Sequence, residues 1–476
     1  MEKNTSRRAV IKGGLAWLGG SLAMPLFGSS THRFRRVEAM QPKQNDDVVE
    51  YMWSGGLTAT SIQINVKLKT SGGAILRLTD ADGGTQYSNR IRLEGNRNRH
   101  IDYIITFSLT NLKPSTRYTY QVLVDETPSE QIGRFHTPEL GAFSFKIALG
   151  NCAQTASDSG VFTEIKSHDP LMFLHLGDFH YEDIDSDEPE AFGQAYHQVF
   201  TSDTQRDLFK NVPIMYIWDD HDFGGDNASQ EAAAAQAAQI SYRHCVPHYP
   251  LHKSSGAIYH SFTIGRVKFI VTDCRSERTP SNAFDNTAKS MLGVEQKEWL
   301  KNELLKGKQH PLTVWINTVP WISNKVSDTW AGYSTERREI ANFIEVNNIA
   351  NIAMLAGDAH ILAIDDGRHN QYGDNGLSLF PVFHAGPLDS MPQYRGGPYS
   401  KLGAQKNGNY GIMEVYDTGR GIDVTWLGYN HDPDSNAPSG RNSYVLRHEF
   451  YYPEPPSLPL ITPGEHKIYL PMTRND

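Results

Sequence analysis

Five clusters of ligand-type side chains stand at the ends of apolar runs in this chain of 476 residues. Asn151-Cys152 follows FSFKIALG. Asp178 follows LMFLHLG, with Tyr181 three residues on, and Asp219-Asp220-His221-Asp222 follows PIMYIW. Asp273-Cys274-Arg275 closes VKFIVTD, and Asp358-Ala359-His360 follows IANIAMLAG. The carboxyl ends of strands in an α/β sheet open onto the ligand crevice, so these groups are expected at one edge. Unpaired buried carboxylates cost several kcal/mol, and a metal ion is a usual compensation. Taken singly each cluster has a plainer reading: a turn at Gly177-Asp178, a core thiol at Cys152, a cap at Asp219-Asp220, a packed ring at Tyr181, a surface loop at 358–360. Their common placement favours a metal site.

Thiolate, phenolate, carboxylate and imidazole form a mixed soft and hard donor set. Phenolate and thiolate suit trivalent iron. Surplus carboxylates beside it suit a harder second ion such as Ca²⁺, Mg²⁺ or Mn²⁺, and an Asp between the two ions would bridge them. Two cations about 3.5–4 Å apart are the usual clamp for in-line displacement at phosphorus. Their charge would also explain how an acidic chain attracts an anionic substrate.

The elements that must position these residues fall into two textures. From about Val48 to Thr137 short runs alternate with period two and no helical stretch interrupts them, which predicts a small antiparallel sandwich. After Pro138 apolar strand-like runs alternate with helical stretches near 160–167, 191–210, 228–243, 294–305 and 335–347. That alternation predicts an α/β domain with a sheet covered on both faces. Strand-like runs return from Leu377 to about Asn430, and the last 46 residues carry no readable motif. Trp315, Trp321 and Trp330 are expected in the core or at its rim.

Composition narrows the function classes. Hydrophobic residues are 39% and charged residues 21%, as in a soluble globular chain. With 45 Lys plus Arg against 54 Asp plus Glu, the net charge is −9, which argues against dedicated nucleic-acid binding. Three cysteines are too few for a disulfide scaffold, though Cys245 and Cys274 are free to pair in an oxidising compartment. Arg7-Arg8 precedes a modest apolar stretch from Gly13 to Phe27 and resembles a twin-arginine export signal. This reading expects the twin-arginine translocon as a partner, a periplasmic or secreted protein, and no stable membrane span in the mature form.

The ordered set of motifs resembles the alkaline phosphatase D (PhoD-like) family of calcineurin-like metallophosphoesterases. The matching pieces are Asn151-Cys152, Gly177-Asp178-Phe-His-Tyr181-Glu182, Trp218-Asp219-Asp220-His221-Asp222, Asp273-Cys-Arg275 with Arg278, Asp328-Thr-Trp330-Ala-Gly-Tyr333 and Gly357-Asp358-Ala-His360. The resemblance implies a four-layer αββα sandwich preceded by a small fibronectin type III-like β domain. The corresponding boundaries are 1–38 for signal and linker, 44–138 for the β domain, 143–430 for the catalytic domain and 431–476 for a C-terminal extension. It places Cys152, Asp178, Tyr181 and His360 around Fe³⁺, makes Asp178 the bridge, and puts Asp358 on a neighbouring Ca²⁺. One or two Ca²⁺ are expected, with Mg²⁺, Mn²⁺ or Zn²⁺ as alternatives at the second site. Asp220 sits where the superfamily's Gly-Asn-His motif has its Asn ligand. His221 takes the place of that motif's His, to protonate or stabilise the leaving group. Arg275 and Arg278 are expected either as phosphate contacts, with Arg275 catalytic, or as loop-fixing ion pairs.

The function implied is an exported phosphoesterase for small phosphomonoesters or phosphodiesters, in which a metal-bound hydroxide attacks phosphorus in line. Two alternatives stand beside it. One restricts the enzyme to phospholipid or cell-wall polymer diesters. The other is a non-catalytic surface binding protein with a structural metal site. The chain departs from the family pattern at Asn151, where Ser is frequent, at Asp222, where Glu is frequent, and in the order Asp226-Asn227.

Overall fold

The computed structural model describes residues 47–93, 101, 103–326, 328–377, 379–403, 405–431, 444–455 and 472–473. The expected signal segment, 1–38, lies outside the described residues. The chain opens with eight strands: β1 (Val49–Gly55), β2 (Ile62–Leu68), β3 (Gly72–Asp80), β4 (Thr85–Tyr87), β5 (Ile91–Leu93), β6 (Ile104–Leu109), β7 (Arg117–Val124) and β8 (Thr127–His136). Strands and helices then alternate: β9 (Phe145–Gly150), α1 (Gly160–Ser167), β10 (Met172–Leu176), α2 (Pro189–Val199), α3 (Asp203–Asn211), β11 (Ile214–Ile217) and α4 (Ala235–Cys245). Next come β12 (His260–Ile264), β13 (Val267–Val271), α5 (Gly293–Gly307), β14 (Leu312–Asn317), α6 (Ser334–Val346) and β15 (Ile352–Ala356). The remaining strands are β16 (Leu362–Asp365), β17 (Val382–Ala385), β18 (Lys401–Leu402), β19 (Asn409–Asp417), β20 (Gly421–Asn430), β21 (Leu446–Pro453) and β22 (Met472–Thr473).

The alternating region forms two sheets, not the single sheet covered by helices that its texture predicts. The first runs β22-β21-β20-β19-β9-β10-β11-β1-β2-β6 and the second β12-β13-β14-β15-β17-β16-β18. Within them β9, β10 and β11 are parallel, as are β13, β14, β15 and β17. Their apolar side chains share one core, with Ile147, Leu149 and Leu174 from the first sheet and Phe269, Val314 and Leu355 from the second. Phe383 of β17 stacks on Trp426 of β20 at 5.2 Å. The neighbouring residues Ile270, Trp315 and Met354 face the other way and pack with Trp299 and Leu300 of α5 and Ile340 and Ile344 of α6. A continuous apolar run says that both faces of a strand are buried, but not whether a helix or another sheet buries them.

Helices α2 and α3 cover the first sheet. Their end residue Phe200 stacks on Tyr51 at 4.2 Å, and Phe209 lies 6.2 Å from Phe173. The single helix predicted over 191–210 is two, because Ser202 begins a new helix by accepting from Gln205 N at 3.1 Å. The alanine-rich helix begins only at Ala235. Trp315, Trp321 and Trp330 pack edge to face in the second core.

The opening strands join the body. A third sheet, β4-β3-β7-β8 with β5 on β3, packs through Leu76, Leu78, Tyr118 and Tyr120 into the first core. Gly55 of β1 pairs in parallel with Ile214 of β11. Tyr120 OH donates to Lys210 O at 2.8 Å and Asn65 Nδ2 to Cys245 O at 2.8 Å. Beyond residue 430, in the C-terminal extension, β21 pairs with β20 along its length. Among the described residues no helix is long and apolar enough to cross a membrane.

Candidate metal centre

Two glycines let the ligand-bearing strand ends close in on one another. A Cβ on Gly177 would lie 2.4 Å from Asp219 Cβ, and one on Gly357 would lie 2.2 Å from Leu176 O. These contacts join β10 to β11 within the first sheet and β10 to β15 across the two sheets. The residues that follow are strained: Cys152, Asp178, Asp358 and His360 all adopt left-handed φ of 59°, 53°, 54° and 49°. Non-glycine residues in that region cost about 1–3 kcal/mol each and cluster at functional sites.

Three overlapping groups of potential ligand atoms result, each with its atoms within 4.8 Å of one another: Cys152, Asp178 and His360; Asp178, Asp220 and His221; Asp219, Asp220 and Asp358. Tyr181 OH donates to Asp178 Oδ2 at 2.9 Å and lies 3.5 Å from His360 Nε2. His360 Nδ1 meets Met391 O at 2.7 Å, so the carbonyl fixes that nitrogen as the N–H and leaves the Nε2 lone pair facing the thiol and carboxylate. His221 Nδ1 meets Asp183 Oδ1 at 2.6 Å.

Hydrogen bonds lock the loops to each other. Cys152 N donates to Gly177 O at 3.1 Å and Ala153 N to Asp178 O at 2.9 Å. Asp222 ties the second and third loops together: its carboxylate accepts from Asp219 N at 2.6 Å, Phe179 N at 2.8 Å and Tyr216 OH at 2.6 Å. The segment 386–399 closes the far side, with Ser390 N donating to Cys152 O at 3.3 Å, Gln393 N to His360 O at 3.2 Å and Arg395 N to Ala359 O at 3.2 Å.

Burial and crowded negative charge dominate the electrostatics. Burial, and then Asp220 and Asp219, push the Asp178 carboxyl far above the usual carboxylate range. Burial also raises Asp358, against the pull of Arg395. Burial lifts Asp219 to about 7 and Asp222 to about 6. Burial would raise Asp220 as well, but Arg275 and His221 beside it hold it below the usual range. Burial and then Asp178 drive the Cys152 thiol up. Asp178 Oδ1, Asp219 Oδ2 and Asp358 Oδ2 are buried without a hydrogen-bond partner. Orphaned carboxylate oxygens beside a thiol and an imidazole fit cations, which would offset the crowded negative charge as a neutral donor could not.

Six of the residues expected as metal ligands therefore meet: Cys152, Asp178, Tyr181, Asp220, Asp358 and His360, with His221 beside them. The fourth strand-end cluster does not join them. Asp273 spends its carboxylate on Trp218 Nε1, Ile258 N and Ser276 Oγ, and Cys274 Sγ donates to Asn317 Oδ1 at 2.9 Å. Only Arg275 reaches the rim, fully buried, donating to Asp219 Oδ1 at 2.6 Å and Asp328 Oδ2 at 2.8 Å and lying 3.7 Å from Asp220. Arg278 pairs with Asp328 and donates to Tyr333 OH at 2.7 Å. Asn227 reaches Asp220 through its backbone N–H at 2.7 Å. The three cysteines are buried and free, so Cys245 and Cys274 do not pair.

Sequence reasoning gave no role to three participants. Asp219, named only within its strand-end cluster, contributes an orphaned oxygen. Asp183 orients His221 from an acidic loop without periodicity. Arg395, whose Nη1 donates to Asp358 Oδ1 at 2.6 Å, lies in MPQYRGGPY, where Gly and Pro signal turns and nothing marks the arginine.

Two mixed sheets whose parallel strands end at one acidic rim define an α/β protein organised around a candidate metal centre. The family model for PhoD-like phosphatase matches residues 148–420, and the chain belongs to that family. All the ligand-type residues above fall inside the match. Alkaline phosphatase D of Bacillus subtilis (strain 168) is 26% identical over 304 residues, 52% of this chain and 52% of that protein. The chain thus spans about half the length of the curated relative it matches. The solved structure of PhoD is similar with a TM-score of 0.66 at 16% identity, covering 86% of this chain and 91% of that one, a likeness of fold.

Proposed function

We propose that the protein is an exported, metal-dependent phosphoesterase that hydrolyses phosphate esters by in-line attack of water. The observation that carries this reading is the overlap of the three ligand groups, in which Asp178 and Asp220 are each shared. Sharing of this kind is what adjacent cations require of a site. Cys152, Asp178, Tyr181 and His360 would hold Fe³⁺, and Asp219, Asp220 and Asp358 would hold Ca²⁺. Such cations would polarise the phosphoryl oxygens and lower the pKa of a water.

The chain's own groups do the rest. His221 is held by Asp183 through Nδ1, which leaves Nε2 to hand a proton to the leaving oxygen. Burial lowers the His221 pKa, but Asp220 and Asp183 outweigh it and the net shift is upward, as suits a proton donor. Arg275 is assigned to positioning, because its guanidinium is spent on Asp219 and Asp328. A fibronectin-like β domain, an αββα catalytic domain and a C-terminal extension belong to the same proposal, with β1, β2, β6 and β21 lending strands to the catalytic domain's first sheet. Export by the twin-arginine route rests on Arg7-Arg8 alone.

The test is to load purified protein with Fe³⁺ and Ca²⁺ and to assay p-nitrophenyl phosphate and its bis ester. Hydrolysis of at least one ester, lost on chelation and restored by both metals, is expected. Protein that takes up no iron and cleaves neither ester with Ca²⁺ supplied ends the reading.

A further inference from the structure

Of the three arginines around the rim, Arg275 and Arg278 have fully buried side chains, whereas that of Arg395 keeps 24% of its surface in solvent. Its backbone is fixed on both sides. Arg395 N donates to Ala359 O, and Gly397 N donates to Ile322 O at 2.7 Å. Its side chain spans the opening: Nη1 reaches Asp358 Oδ1 at 2.6 Å, and Nε donates to Gln393 Oε1 at 3.0 Å. The guanidinium therefore stands on a carboxylate that the proposed function gives to a cation.

We propose that Arg395, whose guanidinium pairs with Asp358, is the substrate-binding arginine: a cation that takes that carboxylate would turn the guanidinium toward a phosphoryl oxygen. This rests on the phosphoesterase reading. A guanidinium and a metal ion compete for the same oxygens, so loading costs Arg395 its partner. A phosphoryl group presents two oxygens at the spacing of the guanidinium fork. The solvent-facing rim position puts that fork where a substrate enters, which neither sealed arginine does. Gln393 Oε1 accepts from Nε and directs the side chain along the rim.

Two equilibrium measurements on Arg395→Ala and Arg395→Lys test this without relying on turnover. In metal-stripped protein titrated with Ca²⁺, the alanine variant should bind about tenfold more tightly than wild type, because Asp358 has lost its internal competitor. In Fe³⁺/Ca²⁺-loaded protein titrated with inorganic phosphate, the same variant should bind about ten- to a hundredfold more weakly, with KM raised more than kcat falls. Lysine, a charge without the fork, should restore part of the competition for Ca²⁺ and little of the phosphate affinity. An alanine variant matching wild type in either titration overturns the proposal and leaves the phosphoesterase reading intact. A wild type that takes up no cation overturns both.

Discussion

At the scale of single residues, the centre separates groups that would touch metal from groups that aim them. Tyr181 and Cys152 belong to the first kind. With Fe³⁺ bound, a phenolate or thiolate donor gives a visible charge-transfer band. We expect Tyr181→Phe or Cys152→Ala to abolish or shift that band while far-UV circular dichroism is unchanged. Loaded protein whose spectrum is indifferent to both changes would remove these residues from the iron. Asp183 belongs to the second kind. Asp183→Asn keeps the size and loses the charge that holds His221, and should lower kcat by about 10²-fold with metal content intact. Equal metal content in wild type and variant, measured by elemental analysis, separates this effect from lost loading.

At the scale of elements, the decisive pieces are the turns after β10 and β15. Gly177 combines φ of +97° with the 2.4 Å approach to Asp219, so any side chain there both strains the backbone and drives two ligand loops apart. Gly177→Ala should cost more than about 2 kcal/mol and most of the metal binding. Gly141→Ala, with φ of +80° and nothing within 4 Å of the new Cβ, should cost only about 1 kcal/mol and spare the metal. Calorimetry and elemental analysis of the two variants decide the matter.

These turns also explain what the sequence makes legible. Gly-Asp after an apolar run announces a strand end with a close approach, which is why Asp178 and Asp358 stand out by eye. A ligand in a segment without period, such as Asp183 or Arg395, offers no such mark. Asp273 follows its run in the same sense, yet the side chains of Trp218 and Ser276 claim it, and only coordinates reveal those partners. The apolar pattern alone hid the division into two sheets, which only the family resemblance implied, because β9 to β11 and β13 to β15 read alike whichever sheet they enter.

At the scale of the whole molecule, buried histidines set an acid limit. Burial holds His175 and His384 at about 3 and His260 at about 4. Unfolded, each titrates near about 6.5. Between those values the unfolded chain binds more protons than the folded one, so stability rises with pH. It is lost as pH falls from about 6.5 toward 4, by up to about 1.4 kcal/mol per pH unit for each group. The buried carboxyls of Asp178, Asp219, Asp222 and Asp358, raised by burial, act in the opposite sense over the same range, so thermal melts read the histidine contribution as a difference between wild type and variant. His175→Leu should flatten the slope by about one proton, and an unchanged slope would exclude His175 as a contributor. The extension beyond residue 430 matters at this scale too. Phe450 and Tyr452 of β21 are buried, and Tyr452 OH donates to Ile352 O at 2.5 Å. Truncation after Asn430 should yield aggregated protein, and a soluble, metal-binding fragment would contradict that packing.

The strand order has a further consequence for biosynthesis. β9 carries the Cys152 turn, and one of its flanks is covered only by β19. On the ribosome, Phe145–Gly150 emerges long before Asn409–Asp417, so the nascent sheet exposes an unpaired backbone edge through most of translation. A holdase that grips extended apolar segments would find a long-lived target there.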